Sequence, residues 1–268
     1  MTPYITFMTD FGTRDDSAGC CRGVMLGRAP DAVLIDLTHE IPAFDIRRGA
    51  LTWQNVLPYM PVGVHVGVVD PGVGTTRRPV AVRAGRGDVL VGPDNGLVAA
   101  GAAALGGAVE AVELSNPAFM LQPLSRTFHG RDIFSPAAAA LATGTPLATL
   151  GSALDVSSLV ALHLPEATWE GDLLRCAVSY IDDFGNLRLN AGEDVVERWS
   201  LREGETLSIA LGAQSLTVPF ARSFGLIDAG RTAVIVDSYR RLMIAVNRGN
   251  AARTYGMAID DVLTLRRG

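Results

Sequence analysis

The sequence predicts an α/β N-terminal domain, in which a mostly parallel central sheet is flanked by helices, followed by a small all-β C-terminal domain. Three observations lead there. Short β-branched runs alternate with helical stretches through the first two thirds of the chain. Several of these runs are apolar throughout rather than at every second residue, the pattern of strands covered by helices on both faces. From about residue 151 the alternation gives way to short strands separated by turn formers.

In chain order, the β-branched runs place strands at 4–8, 33–37, 62–69, 80–82 and 89–91, with helices at 16–29, 45–57, 97–105 and 136–142. The uncharged run 133–154 has the length of a membrane span. Ser135, Pro136, Gly144, Pro146 and Gly151 interrupt it and alanine dominates, so a buried helix followed by a loop is expected. Beyond it, strands are expected at 173–181, 187–189, 206–211, 216–218, 233–236 and 242–246. The domain boundaries that follow are 1–160, a linker at 161–170, and 171–268. The chain shows no internal repeat or low-complexity segment.

Composition narrows the function. The 268 residues are 48% hydrophobic and 19% charged, the balance of a globular protein with a sizeable core. The net charge is −5, every basic residue is Arg, and no Arg-rich stripe with interleaved aromatics occurs, which argues against a nucleic-acid partner. Cys20, Cys21 and Cys176 are odd in number and lack zinc-site spacing, so they read as small buried hydrophobes in a reducing cytoplasm. No basic segment followed by an apolar one opens the chain, which fits the same location, with no membrane partner. His39 beside Glu40 lacks a spaced metal-ligating partner, so no metal or other cofactor is expected. Gly-x-Ser-x-Gly, P-loop and HExxH motifs are absent.

In the N-terminal part three segments remain as carriers of chemistry. The first strand runs into Thr9-Asp10-Phe11-Gly12-Thr13-Arg14-Asp15-Asp16-Ser17, placing carboxylates and hydroxyls at the carboxyl edge of a sheet, where open α/β sheets bind ligands. Carboxylates there suit vicinal ribose hydroxyls, whereas Asp15 or Asp16 equally suits the capping of the next helix. The strand 62–69 runs into Asp70-Pro71-Gly72-Val73-Gly74 and then Arg77. Arg77 stands where a dinucleotide fingerprint needs its third glycine and a strand follows, leaving a tight loop that presents an acid and a base seven residues apart. An ion pair on a plain surface turn has the same spacing. Thr127-Phe128-His129-Gly130-Arg131-Asp132 enters the Ala-rich helix, and His129 is a candidate general base. His65 lies inside a buried strand and His163 in the linker, where structural roles fit better. In the C-terminal part Asp182-Asp183-Phe184-Gly185-Asn186 joins two strands. Turn formers explain it as a hairpin, except for Phe184, whose large apolar side chain calls for a partner.

Taken together, Thr9-Asp10-Phe11-Gly12 with Asp15-Asp16-Ser17, Asp70-Pro71-Gly72-Val73-Gly74 with Arg77, Pro93-Asp94-Asn95-Gly96, Phe128-His129-Gly130-Arg131-Asp132, and Asp182 with Phe184-Gly185-Asn186 resemble one family. It is the S-adenosyl-L-methionine (SAM) hydroxide adenosyltransferase family, sister to the fluorinases and chlorinases, and the resemblance spans nearly the whole chain in order. It implies an N-terminal α/β domain joined to a small all-β barrel, assembled as a homotrimer with the substrate between domains of neighbouring subunits. It also implies hydrolysis of SAM to adenosine and methionine, with Asp70, Arg77 and His129 matching a trio that the halogenases lack. Asp10 then resembles the ribose ligand, and Ser17, Asp182 and Ser238 resemble contacts to the methionine end. Phe184 and Asn186 resemble the adenine side, Phe44 stands where fluorinases use a tryptophan, and Asp15 and Phe128 complete the expected substrate contacts.

Tyr239 departs from the pattern, because fluorinases have arginine there, and Arg240 or Arg241 is the expected substitute for neutralising the methionine carboxylate. The expected mechanism has Asp70 and His129 orienting a water and sharing its proton, with Arg77 fixing the Asp70 carboxylate and stabilising the developing hydroxide. The rival readings are a chloride adenosyltransferase and a non-catalytic nucleoside-binding module.

Overall fold

Strand β1 (Tyr4–Thr9) lies inside the first sheet and sends Ile5 and Phe7 into one apolar layer and Met8 into the other. This two-sided burial is the reason its sequence is apolar rather than alternating. The computed structural model describes residues 2–212 and 214–268, and the chain divides into two compact units, one up to His163 and one from Leu164.

In the first unit, β1 is followed by α1 (Ser17–Arg28), β2 (Val33–Thr38), α2 (Ile46–Val56), β3 (Val64–Val68), β4 (Pro79–Ala84) and β5 (Val89–Pro93). Then come α3 (Leu97–Ala104), β6 (Ala108–Leu114), α4 (Ser135–Ala142) and β7 (Gly151–Leu154). The sheet order is β2-β1-β3-β5-β4-β6-β7. The pairings β1–β2, β1–β3 and β3–β5 are parallel, while β4 runs against both β5 and β6, so five of the seven strands share one direction. α1 packs with α4 on one face and α2 with α3 on the other. Met25, Val66 and Phe134 fill the first layer, and Trp53, Val69 and Leu97 the second. Gly67 makes room for this second layer, since a Cβ there would sit 2.3 Å from the Trp53 ring.

The second unit comprises β8 (Thr168–Glu170), β9 (Leu173–Ile181), β10 (Leu187–Gly192), α5 (Asp194–Trp199), β11 (Thr206–Leu211) and β12 (Gln214–Ala221). It continues with β13 (Thr232–Val236), β14 (Arg241–Val246), α6 (Ala251–Tyr255) and β15 (Val262–Arg267). Seven strands in the order β10-β14-β13-β12-β11-β15-β9 close through a β9–β10 pairing, and β8 adds to the edge of β9. Closure leaves those seven strands no free edge and buries every second side chain of β10, including Leu187 and Leu189.

The fold class is the expected one, with local differences. β6, β7 and β15 and the short helices α5 and α6 were not expected, and β4 is antiparallel because a turn at 85–88 folds it directly against β5. Thr168–Glu170, within the stretch expected as a linker, is already a strand of the second unit. The uncharged run 133–154 does form a buried helix, α4, followed by a turn region, and no helix among the described residues is long and apolar enough to cross a membrane. Cys21 and Cys176 are buried, and burial pushes both thiols up to about 12. Cys20 is only half-buried, and not buried as expected.

Candidate active site

The chain leaves β1 through α1 to reach β2 on one side, and then crosses by α2 to β3 on the other side of β1. The connections after β1 and β3 therefore diverge, which opens a crevice between the carboxyl ends of these two strands, the position where open α/β sheets bind ligands. Asp10 follows β1 directly and Asp70 lies two residues beyond β3. Thr9 pairs with Val68, so the two carboxylates stand at the same sheet edge.

Asp70, Arg77 and His129 come together there. Arg77 Nε donates to Asp70 Oδ1 at 3.1 Å and Nη2 donates to Oδ2 at 2.5 Å, a bidentate pair whose side chains are 7% and 5% exposed. The same Nη2 reaches His129 Nδ1 at 3.1 Å. A guanidinium has no acceptor, so Nδ1 must accept and the imidazole proton resides on Nε2. Burial, and then the charge of Arg77, push the His129 pKa below its ordinary value, although Asp70 and Asp132 pull the other way. His129 is therefore a neutral ring with an Nε2–H donor. Arg77 Nη1 is buried without an acceptor among the described residues, and its guanidinium lies 5.4 Å from the Phe134 ring centroid. An ion pair on a plain surface turn would be exposed, and this one is not.

The loop 70–78 owes its position to Gly74. Its φ of +74° lies in the left-handed region, and a Cβ there would sit 2.2 Å from the Arg126 carbonyl oxygen. Glycine thus brings the loop against the segment before His129. On the other side, Phe128 packs edge-on against Phe11 with centroids 5.9 Å apart, and Arg131 covers the Phe128 ring. His129 then opens a turn of π-helix at Gly130–Phe134 that leads into α4.

Asp10 Oδ2 accepts from the Phe44 amide at 2.9 Å. Burial pushes the Asp10 carboxyl above its usual range, the two backbone bonds oppose this, and nearby Asp70 adds to the rise. Phe44 holds a left-handed φ of 68° and is 70% exposed, a strained residue with a presented ring. Asp15 Oδ1 accepts from the Ser17 amide at 3.0 Å, so this carboxylate caps the start of α1, while Asp16 makes no side-chain cap. The capping explanation therefore accounts for one oxygen of Asp15.

In the second unit, Asp182 Oδ1 accepts from the Phe184 and Asn186 amides, and Oδ2 from Asn186 Nδ2 at 2.8 Å. These bonds organise the β9–β10 turn and use much of the carboxylate's capacity. Asn186 is buried, while Phe184 is 76% exposed. Ser238 lies in the β13–β14 turn. Arg240, expected as one substitute at the methionine carboxylate, instead forms an ion pair with Glu193, and its φ of 61° is left-handed. Arg241, the other, begins β14 with its side chain exposed.

Sequence reasoning missed how the Pro93-Asp94-Asn95-Gly96 segment works. Asn95 Nδ2 donates to the Val69 carbonyl at 2.8 Å, fixing the main chain immediately before Asp70. Asp94 accepts from Arg78 and from the Val160 amide. Their signal was a Pro-Asp-Asn-Gly turn at the end of a buried strand. Among the described residues no three His, Cys, Asp or Glu side chains converge as metal ligands.

The chain matches the family models described as SAM hydroxide adenosyltransferase N-terminal domain, over residues 5–151, and C-terminal domain, over residues 176–264. It is 43% identical to a protein of Salinispora tropica named (R)-S-adenosyl-L-methionine hydrolase, over 100% of this chain and 99% of that one. It is 30% identical to a fluorinase of Actinopolyspora mzabensis, covering 95% and 94% of the two chains. A crystal structure described as an uncharacterized conserved protein from Thermotoga maritima superposes with a TM-score of 0.92 at 32% identity, covering 98% of this chain and 100% of that one.

Proposed function

The chain belongs to the SAM hydroxide adenosyltransferase family, and from that premise we propose that it hydrolyses SAM to adenosine and L-methionine by attack of water at the ribose C5′. The observation that carries this reading is the Asp70–Arg77–His129 cluster at the sheet's switch point, built on a buried ion pair. A sulfonium leaves as a neutral thioether and asks for no proton on departure, so the demand falls on the nucleophile. Holding water in line with the C5′–S bond is worth up to ~7–11 kcal/mol, and a placed base adds ~10²–10⁴-fold.

Each residue has a part in that task. The His129 Nε2–H donates to the water oxygen and leaves a lone pair aimed at C5′. The Asp70 carboxylate, each oxygen of which keeps capacity beyond its Arg77 bond, accepts a water proton. As the O–C5′ bond forms, the C5′–S pair withdraws onto sulfur, and the proton passes from Asp70 to solvent. Arg77 cannot serve as the base, because a guanidinium stays protonated and has no acceptor. It holds both partners, and its unpaired Nη1–H is a further donor for the developing hydroxide. Asp10 accepts from the ribose hydroxyls, with Phe44 and Phe128 beside the nucleoside. Asp15, Ser17, Asp182 and Ser238 serve the methionine end, and Phe184 and Asn186 the adenine.

Water is favoured over halide on electrostatic grounds. An anion ~4 Å from the Asp70 carboxylate costs ~4 kcal/mol at an effective dielectric constant of ~20. The bidentate contact sets the Arg77 charge against that carboxylate, so the pair offers a halide no net positive charge.

The reading extends to a homotrimer that seats second-unit residues of one copy against the first-unit crevice of the next, covering the exposed rings of Phe44 and Phe184. Analytical ultracentrifugation is expected to give three chain masses. A cytoplasmic location fits three unpaired cysteines.

The test is chromatography of SAM incubated with purified protein in chloride-free buffer. Equal amounts of adenosine and methionine are expected. Formation of 5′-chloro-5′-deoxyadenosine once chloride is added, or retention of the nucleoside without turnover, contradicts the reading.

A further inference from the structure

We propose that Arg188 receives the carboxylate of the substrate's amino-acid end and makes the enzyme selective for a zwitterionic head group. The inference rests on SAM being the substrate. Arg188 is the second residue of β10, two positions after Asn186, and pairs across the ladder with Tyr180 of β9. Its guanidinium carbon lies 4.6 Å from the ring centroids of both Tyr180 and Tyr239. Nε donates to Asp237 Oδ2, forming an ion pair whose side chains are 13% and 5% exposed. Asp237 Oδ1 in turn accepts from the Tyr239 and Arg241 amides at 2.9 and 3.0 Å, so the turn that carries Ser238 is wound around this carboxylate.

Two rings, a largely buried acid and the backbone of a turn thus hold one arginine in place, an arrangement that carries a desolvation cost. Only one of its five N–H donors is used. Among the described residues neither Nη atom has an acceptor, and the side chain keeps a small opening to solvent. A planar fork with both Nη groups free is the geometry that binds a carboxylate through two parallel hydrogen bonds. Arg188 also joins the two turns assigned to the ligand, the one ending in Asn186 and the one containing Ser238.

Three other arginines near the candidate groups are already paired, while Arg241 stands exposed at the head of β14. Arg240 pairs with Glu193, Arg77 with Asp70, and Arg78 with Asp94. Charge balance also points to a zwitterion. Because Asp237 compensates Arg188, the pair attracts a net anion such as phosphate weakly, while its adjacent opposite charges match an α-amino acid end.

Calorimetry with SAM, decarboxylated SAM and adenosine tests this in the wild type and in Arg188→Met. The wild type is expected to bind SAM at least ten-fold more tightly than decarboxylated SAM. In Arg188→Met that ratio is expected to fall close to one, with adenosine affinity retained. Arg188→Lys keeps the charge beside Asp237 but loses the fork, and is expected to lose most of the ratio, which provides the test if the methionine variant does not fold. Arg240→Ala should keep the wild-type ratio. Equal binding of the two compounds by the wild type, or a ratio unchanged in the Arg188 variants, overturns the proposal. Failure of the wild type to bind SAM at all is a different result and overturns the substrate reading instead.

Discussion

Arg77 Nη2 donates to His129 Nδ1 across 52 residues of sequence, and this contact sets the tautomer of the histidine beside Asp70. Nδ1 is occupied as an acceptor, so the ring presents Nε2–H, and protonating Nδ1 would break the contact. Within the proposed pair, His129 is then the donor that positions water and Asp70 the acceptor of its proton.

His129→Ala is expected to lower kcat by ~10²–10³-fold while adenosine affinity stays near wild type, as steady-state kinetics and calorimetry will report. Because burial and Arg77 hold the His129 pKa below 6.5, turnover should persist below pH 6.5 before its acid limb. The sign for stability follows from the same shift. The unfolded chain takes up the proton first, so the folded state loses stability as pH falls through 6.5 toward the lower folded value. An acid limb above pH 6.5 that disappears in His129→Gln contradicts the assignment.

Gly74→Ala tests whether the loop, and not only its side chains, makes the site. The added methyl meets the Arg126 carbonyl and a left-handed φ, so the loop must withdraw and Arg77 must leave His129. Turnover should fall by at least ten-fold, with a stability loss of about 1–3 kcal/mol in chemical denaturation. Wild-type turnover in this variant contradicts the account.

Asp10→Asn should weaken adenosine binding by about 10- to 100-fold, the loss of a charge-assisted pair of bonds. It should also raise Tm. Burial lifts the Asp10 carboxyl above 3.8, so the unfolded chain ionises first and the fold loses stability as pH rises through that window. Asparagine removes the charge and still accepts from the Phe44 amide. An unchanged adenosine affinity contradicts Asp10 as the ribose ligand.

Away from the site, His65 donates to Asp88, both fully buried, and Arg86 forks onto the same carboxylate. Burial alone would raise the Asp88 carboxyl, but the bonds from Arg86 and His65 outweigh it and hold it well below its usual range. That stability is present above pH 3.8 and is lost as pH falls toward the folded value. Asp88→Ala should cost about 3–5 kcal/mol in urea unfolding, because it leaves His65 and Arg86 unpaired. A loss below 1 kcal/mol contradicts this account.

Much of the fold was legible because burial on both faces writes itself into β1, β3 and β5 as continuous apolar runs. Asp10 and Asp70 were legible as ligand candidates, since each ends such a run where parallel strands expose their carboxyl edge. The Arg77–His129 contact was not, because no local pattern encodes a meeting over 52 residues; the fit of Gly74 against Arg126 sets it. Glutamates at positions 110 and 113 hid β6 among its apolar neighbours. The pairing of Arg240 with Glu193 removed a cation that its position beside Ser238 and Tyr239 had favoured, and the role of Arg188 rests on a Tyr–Arg–Tyr arrangement drawn from three separate elements.

Hydrolysis of SAM in ¹⁸O-water, with mass analysis of both products, decides which carbon the water attacks. Adenosine is expected to carry the heavy isotope at its 5′ oxygen, and methionine to lack it. Adenosine free of label, or label found only in the methionine-derived product, would contradict attack of water at C5′.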